Sequence, residues 1–577
     1  MHRAEGGPPA AGPDRRTGST LALQVCVLVL ASLAVWVPRA SGPIDLRWDA
    51  AAYYTLGTAL AERGDYRYLN EPGDIRTTQY PPGVPAIVAV HQLVMGTSDP
   101  VAVGRALRLT YFLLFTANIL AAFAFLRRHL PSWTAVALAL VATMTFAAIW
   151  VSDRAYTDLP FALAVNLFLL AVAGGGRWSG MGAGVCAAAA FMLRTTGLAL
   201  LGAWVLDAML RRKVRAVFVR GVVSAACVLA WAGYIRAVEH SDEYRNPAYP
   251  YQRALYNMYN VAYTKNFSLR DPNDPGRGRL TARDWAARLL ERAGQVPEGL
   301  AATVGNSRTD WELAVGGAKT QPGFRYIPWR SIPLVLYGSA GLVVAGFVLL
   351  ALRGQLVMIA LGALYLAQMC LLPTVFFWPR YLSSLGALTA LALGTALVAI
   401  ARTTVLRRWR TAVLTAPLLL ILAAQALALV WFFRAGHVPV THPDWAGHRV
   451  DYRLFSYDEA FRAFDGGIDW LQARAAPGDL VVSSMPHWVH LRTGLKAIMP
   501  PFERDRARAL DLLEAAGARY VIVDASGFSF TREYARPALR AAEGRWRLVH
   551  RETPGLEIWC RESTPDTNSP NSRPLAP

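Results

Sequence analysis

Apolar positions along this chain of 577 residues fall into long blocks rather than at helical or strand spacing. Leu21–Val37, Thr134–Val151, Ala216–Tyr234 and Ile332–Leu352 are almost free of charge. A helix needs about 17–25 such residues to cross the hydrocarbon core of a bilayer. The pattern predicts eleven spans, near 20–37, 104–126, 132–151, 159–174, 180–193, 196–210, 215–234, 331–352, 355–374, 382–401 and 411–433. Buried helices of a large soluble protein would give one such block, not this series. The fold class that follows is a polytopic α-helical membrane protein of about 11 spans with a small C-terminal α/β domain. Two of the spans are short. Met181–Leu193 and Thr196–Leu210 read as a helical hairpin broken at Arg194-Thr195-Thr196-Gly197. An arginine at that depth needs a partner or a water-filled cavity.

Three polar stretches separate the blocks. Residues 38–103 hold a Tyr80-Pro81-Pro82-Gly83 turn and then Val84–Met95, too short to span and expected to lie in the membrane interface. Residues 235–330 are rich in Tyr, Asn, Pro and Arg. Residues 434–562 form a separate domain after the membrane part, residues 1–433. That domain alternates a strand at Leu480–Ser484, a helix at Arg504–Ala516, a strand at Arg519–Asp524, and a hairpin of Trp546–His550 with Leu556–Cys560. The tail 563–577, with its Pro, Ser and Asn, is expected to be disordered.

Composition agrees: hydrophobic residues make up 54% and charged ones 17%, against about 25% charged in soluble domains. The net charge of +19 changes the picture because of where it sits. Arg15-Arg16, Arg127-Arg128, Arg211-Arg212-Lys213-Val214-Arg215 and Arg407-Arg408-Trp409-Arg410 occupy short connections nearly devoid of acid. Cytoplasmic loops have this composition. Nucleic-acid binding would instead need a basic stripe on a soluble domain. With the N-terminus inside, every cluster falls inside, and an odd number of spans places the C-terminal domain outside. The first block follows Arg15-Arg16 as a secretion signal would, but it runs to Trp36 and ends at Pro38-Arg39-Ala40, which favours an uncleaved span. Cys26, Cys186, Cys227 and Cys370 lie in apolar blocks, Cys560 stands alone, and no CxxC spacing suggests zinc or a disulfide framework.

Candidate chemistry gathers in the predicted outer loops. Asp49 and Tyr53 share a face if a helix starts at Asp49, and Asp49 is equally placed to be a plain N-cap. Asp158 precedes Pro160 at the start of a span, where a cap is again the simple reading. A group that takes a proton from a hydroxyl would need such a carboxylate. Arg194 and Arg380, the latter in Trp378-Pro379-Arg380-Tyr381, supply cations on the same side. Guanidinium suits phosphate oxygens, while the alternative for Arg380 is a snorkelling anchor in an aromatic belt. Arg253 and Lys265 are further cations of the second large outer segment.

Taken in order, these segments resemble the GT-C superfamily of membrane glycosyltransferases, in the bacterial branch of the protein O-mannosyltransferases and the lipid A aminoarabinose transferase. The resemblance rests on Trp48-Asp49-Ala50-Ala51-Ala52-Tyr53 with Glu62-Arg63-Gly64-Asp65-Tyr66, Tyr80-Pro81-Pro82-Gly83, Tyr156-Thr157-Asp158-Leu159-Pro160, Leu193-Arg194-Thr195-Thr196-Gly197 and Pro379-Arg380-Tyr381. Asp479–Ser484 and Ala518–Asp524 extend it into the outer domain. It implies an enzyme of the bacterial plasma (inner) membrane that moves a hexose or pentose from a polyprenyl-phosphate donor to an envelope glycan, lipid or protein on the extracytoplasmic face. It implies Asp49 as base, with Asp45 as rival, and Asp158 as second catalytic acid. Arg380 or Arg194 is implied as phosphate ligand, and Tyr53, Tyr381 and Arg253 as substrate contacts. The family's Asp-Glu pair is Asp49-Ala50 here, and the Lys before the Pro-Pro of the aminoarabinose transferase is replaced by Gln79-Tyr80. Inversion would follow from direct displacement. Asp49 and Asp158 could share a divalent cation, though no ligand cluster demands one. The rival readings are a transporter or lipid flippase, or a non-catalytic scaffold. A transporter would show internal repeats and polar groups at the midplane, whereas here no repeat is found and the polar groups cluster in the outer loops.

Overall fold

A computed structural model describes residues 15–174, 178–305, 307–319, 331–373, 378–403, 407–443, 448–542 and 544–562. The tail 563–577, expected to be disordered, lies outside them.

Each of the eleven apolar blocks is helical. Arg15–Trp36, Pro100–Leu126, Val214–Glu239, Ser331–Leu352 and Arg410–Gly436 are the long ones. By length and composition, six helices are able to cross a membrane, the sixth being Arg380–Ala401, which includes a short irregular stretch after Leu382. A bent pair, Ser132–Thr143 and Phe146–Ser152, would make a seventh. The four remaining predicted spans are shorter: Asp158–Val172, Ser179–Leu193, Leu198–Leu210 and Leu356–Leu371, none above 16 residues. At 1.5 Å per residue they reach about 24 Å, less than the roughly 30 Å core. Among the described residues, length and composition alone thus identify six or seven crossing helices, and the four shorter ones leave the count of about 11 unconfirmed.

Local chemistry sets the breaks that matter. The bent pair turns by 65°. The second helix is restarted by the Thr145 hydroxyl, which accepts from the Ala148 amide at 3.2 Å. This turn redirects the chain so that residues 153–158 pass beside residues 44–49, and Asp45 bridges to Arg154. The predicted hairpin is present. Arg194 is extended between its two helices, and a 3-10 turn at Thr195–Gly197 starts the return. Any side chain at Gly197 would strike the Phe191 amide nitrogen, 2.3 Å from where its Cβ would lie. The centre of the bundle is Gly386–Ala401, whose alanines and glycines are nearly all buried. Small residues let backbones approach closely where lipid offers no hydrophobic drive between helices.

The C-terminal part begins with an antiparallel hairpin, β1 (His437–Pro443) with β2 (Arg449–Phe455). A five-stranded mixed sheet follows. Its strands are β3 (Leu480–Val482), β4 (Lys496–Ile498), β5 (Ala518–Val523), β6 (Trp546–Glu552) and β7 (Leu556–Arg561), in the order β4-β3-β5-β7-β6. β4, β3 and β5 run parallel, and β7 closes antiparallel to β5 and β6. The expected strands, the helix (Arg506–Ala515) and the hairpin are all there, within a few residues. This unit rests on the polar segments 38–103 and 235–330. Asn70 and Ala497 exchange backbone and amide hydrogen bonds of 2.8 and 2.9 Å. Tyr249 and Tyr251 join the apolar core of the sheet. The stretch Gly83–Met95 is a helix with Val90, Leu93, Val94 and Met95 exposed, as an amphipathic surface helix requires.

Candidate active site

Four of the residues singled out from the sequence meet at one point. Asp49 is the first residue of the helix Asp49–Arg63, and Asp158 the first of Asp158–Val172. Neither is a cap: those positions belong to Trp48 and Thr157, which make no side-chain cap bond. Both carboxylates turn instead to Arg380. Its guanidinium lies 2.8 Å from Asp49 Oδ2 and 3.0 Å from Asp158 Oδ2, with Nε donating to the latter at 3.1 Å. Arg194 completes the set, donating to Asp158 Oδ1 at 2.5 Å. The snorkelling-anchor alternative for Arg380 therefore fails.

Exposure separates the two acids. The Asp158 side chain is 2% exposed and holds both arginines, whereas that of Asp49 is 26% exposed and touches only Arg380 among them. The free edge of the site therefore belongs to Asp49. Each arginine also lies over an aromatic ring. Arg380 sits 4.2 Å above Tyr156, and Arg194 4.7 Å from the ring centre of Tyr381. Such stacking holds a guanidinium in place while leaving its edges able to donate. Tyr381 is fixed in turn by Tyr365, which donates to its carbonyl at 2.8 Å.

Tyrosines wall the open side. Tyr53 packs edge-on against Tyr80 at 4.9 Å, and Tyr80 against Tyr263 at 5.9 Å. Burial, and after it the Asp49 carboxylate, push the hydroxyls of Tyr53, Tyr80, Tyr156, Tyr259 and Tyr263 above the usual range. All five therefore stay protonated at any physiological pH. Of these, sequence reasoning picked out only Tyr53. Tyr80 and Tyr156 stand in the quoted motifs without a role, and the signal for Tyr259 and Tyr263 was the concentration of tyrosine in residues 235–330, which could not say which rings face inward.

Asp45 goes elsewhere. Arg47 grips it through Nε at 3.0 Å and a terminal nitrogen at 2.9 Å, and Arg154 approaches to 3.2 Å. Burial opposes its charge, but Arg47 and Arg154 hold the carboxyl below its usual range. This arrangement ties Asp45 to Arg47 and Arg154 and leaves it outside the Asp49–Arg380–Asp158–Arg194 cluster. Beside it, Asp153 lies 3.1 Å from Arg108 and 3.8 Å from Arg39. Arg253 is also not part of the cluster. It stacks 4.3 Å from Tyr244 and donates to the carbonyls of Asn260 and Arg76. Lys265 pairs with Glu239 at 2.8 Å.

The backbone just before Asp49 is strained. Trp48 has φ 54° and ψ −128°, a region that a bulky residue rarely enters. Its indole is held between Arg47 at 4.6 Å and Arg154 at 4.7 Å, and meets Phe461 of the C-terminal domain edge-on at 5.1 Å. The buried ion lattice thus packs against Trp48, the residue just before Asp49. A divalent ion shared by Asp49 and Asp158 does not fit this donor set. Arg380 already bridges the two carboxylates, and no three His, Cys, Asp or Glu side chains converge among the described residues.

No protein-family model and no curated protein matches the chain. Among solved structures it is similar to the archaeal oligosaccharyltransferase AglB from Archaeoglobus fulgidus in complex with an inhibitory peptide and a dolichol-phosphate. That likeness has a TM-score of 0.48 and 13% identity over 87% of this chain and 69% of the other. It is also similar to ArnT from Cupriavidus metallidurans bound to undecaprenyl phosphate, with a TM-score of 0.42 and 14% identity over 94% of this chain and 98% of that one. With identity this low, the functional reading rests on the site itself and on the motifs in the sequence.

Proposed function

We propose that this chain is a membrane glycosyltransferase that passes a sugar from a polyprenyl-phosphate donor to an acceptor hydroxyl on the extracytoplasmic face, with inversion. The observation that carries the reading is the Asp49–Arg380–Asp158–Arg194 cluster, with two carboxylates balanced by two guanidiniums at the ends of apolar helices. A phosphate on a polyprenyl chain cannot leave the bilayer, so its scissile bond sits where such helices end. Reading the Arg-rich connections as cytoplasmic supports an outside position for this end and an inside one for the N-terminus.

The chemistry follows from charge. The donor phosphate seeks the same guanidinium edges that Asp49 occupies. Arriving beside Arg380, it competes for that nitrogen and loosens Asp49 from its ion pair. Asp49 then takes the proton of the acceptor hydroxyl, and the oxygen attacks the anomeric carbon from the face opposite the phosphate. The bond between that carbon and the phosphate oxygen breaks, and the electron pair leaves with the polyprenyl phosphate. Arg380 and Arg194 stabilise that charge from fixed positions, which makes them effective in a site with little water. Asp158, buried beneath them, keeps both guanidiniums aimed. Tyr53 and the other tyrosines offer ring faces and neutral hydroxyls suited to a sugar.

The test is transfer of labelled hexose or pentose from synthetic polyprenyl-phosphate sugars by the purified chain in liposomes. Asp49→Asn keeps the size and the hydrogen-bonding edge but cannot accept the proton. A general base is worth about 10²–10⁴ in rate, so kcat should fall by at least about a hundredfold in a folded protein. Unchanged turnover in that variant would remove Asp49 from the chemistry.

A further inference from the structure

The second feature of note lies at the other end of the Arg194 hairpin, about 20 Å along the helix Ser179–Leu193. There the helices Ser179–Leu193 and Val214–Glu239 enclose a groove of about 780 Å³. One wall position, Gly180, leaves open space, while Gly184 lets the Trp204 indole pack against the backbone as the floor. At Gly180 a Cβ would meet nothing within 4 Å, and at Gly184 it would meet the Trp204 indole at 2.6 Å. The remaining wall is apolar and open to the membrane, with Met181, Val185 and Val219 all at least half exposed.

Its rim is cationic. Lys213, Arg215 and Arg220 line it. Arg220 is committed to Asp207 at 3.0 Å and to the Trp204 carbonyl. Lys213 and Arg215 are exposed and have no ion-pair partner among the described residues. The floor holds an independent sign of a missing ligand. Trp204 is 6% exposed and lines the groove, yet its indole N–H has no acceptor among the described residues. A buried donor left without a partner costs about 1–3 kcal/mol. A groove that offers an N–H, two cations and an apolar trough asks for an oxygen-rich anion attached to hydrocarbon.

We infer that this groove seats one anionic diacyl phospholipid, in the leaflet opposite the Asp–Arg cluster. Its phosphate lies between Lys213 and Arg215, an ester or phosphate oxygen accepts from Trp204, and an acyl chain fills the open space beside Gly180. A basic pocket between membrane helices is the known physical basis for holding anionic headgroups. A second groove of about 560 Å³, between Leu21, Leu120 and Arg127, repeats the apolar wall and cationic rim but has no unpartnered donor in its lining. It therefore carries no assignment.

The experiment is native mass spectrometry of the full chain released from bilayers of equal phosphatidylglycerol and phosphatidylcholine, with polyprenyl phosphate added as a third competitor. Phosphatidylglycerol should be retained at least about tenfold over phosphatidylcholine. Each cation near an anionic headgroup is worth about fivefold, so Lys213→Gln with Arg215→Gln should erase that preference. Gly180→Leu should displace the lipid by filling the groove, and because its Cβ meets nothing, the fold tolerates it. Trp204→Phe should lower retention about threefold with the melting curve unchanged. Equal retention of the two phospholipids would overturn the assignment, as would preference for polyprenyl phosphate. Undiminished retention in Gly180→Leu would overturn it too. A change of oligomeric state in Gly180→Leu, with lipid retention intact, would show that the groove receives a second copy of the chain instead.

Discussion

Asp49 and Asp158 hold the same position in their helices yet differ in what surrounds them. One is partly open and touches one arginine; the other is sealed under two. The difference assigns separate kinetic signatures. Arg194→Gln removes a phosphate ligand without touching Asp49, so it should raise KM for the polyprenyl-phosphate donor about tenfold or more while kcat falls less. A charge-assisted hydrogen bond is worth about 1.5–3 kcal/mol. Asp158→Asn should move both constants, since two guanidiniums lose their anchor. Steady-state kinetics with donor and acceptor varied separately distinguish the cases, and an Arg194→Gln enzyme with unaltered donor KM would contradict the phosphate role. At this scale the sequence was partly legible. Motif order pointed to Asp49, Asp158, Arg194 and Arg380, because short polar insertions between apolar blocks leave few places for charge. Asp45 and Asp49 stood as rivals on one loop, and nothing in their spacing reveals that Arg47 folds back onto Asp45.

Among the elements, the helices were read correctly because an apolar block of sufficient length has few other uses. Their number as spans is less legible, since shortness by a few residues separates a crossing helix from one packed inside the bundle. The C-terminal sheet showed through its alternating strands and turns, but the hairpin of β1 and β2 and the helix Pro486–Thr493 did not. Those are short, mixed in polarity, and shaped by what they pack against. Pro486–Thr493 carries His487, which lies 4.8 Å from the ring of Tyr68 and 4.7 Å from that of Tyr259. Burial is the first cause, and neighbouring His490 the second, of a pKa pushed down to about 3. The unfolded chain, with an ordinary value near 6.5, takes up a proton first as pH falls. Its share of stability is therefore whole above about pH 6.5 and drains away between there and about pH 3. At pH 5 the loss is about 2 kcal/mol. Thermal melts of the wild type and His487→Phe at pH 7.5 and pH 5 check this: the substitution should shrink the acid-induced drop in Tm, and an identical drop in both would refute it.

Across the whole molecule, the two outer segments and the C-terminal domain share one structure. Arg47 donates to the carbonyls of Phe455 and Ser456 at 2.7 and 3.2 Å, and Arg154 reaches the first of these at 3.4 Å. Arg47→Ala leaves Asp45 buried with Arg154 alone, a kind of break that costs about 3–5 kcal/mol. It should lower the unfolding midpoint sharply and, by releasing Trp48, reduce transfer as well. A variant as stable as the wild type would show that the lattice is dispensable. No stretch of sequence announces this joint, because the donors and their acceptors stand some four hundred positions apart.

That separation has a temporal side. Ribosomes deliver Asp45, Arg47 and Arg154 long before Phe455 exists. During that interval the guanidiniums lack the carbonyls that complete their coordination, and Trp48 lacks Phe461. The nascent protein therefore waits, with this joint unfinished and the Trp48 that precedes Asp49 only partly packed, until the last quarter of translation arrives. Fragments that stop short of Phe455 lack this joint altogether.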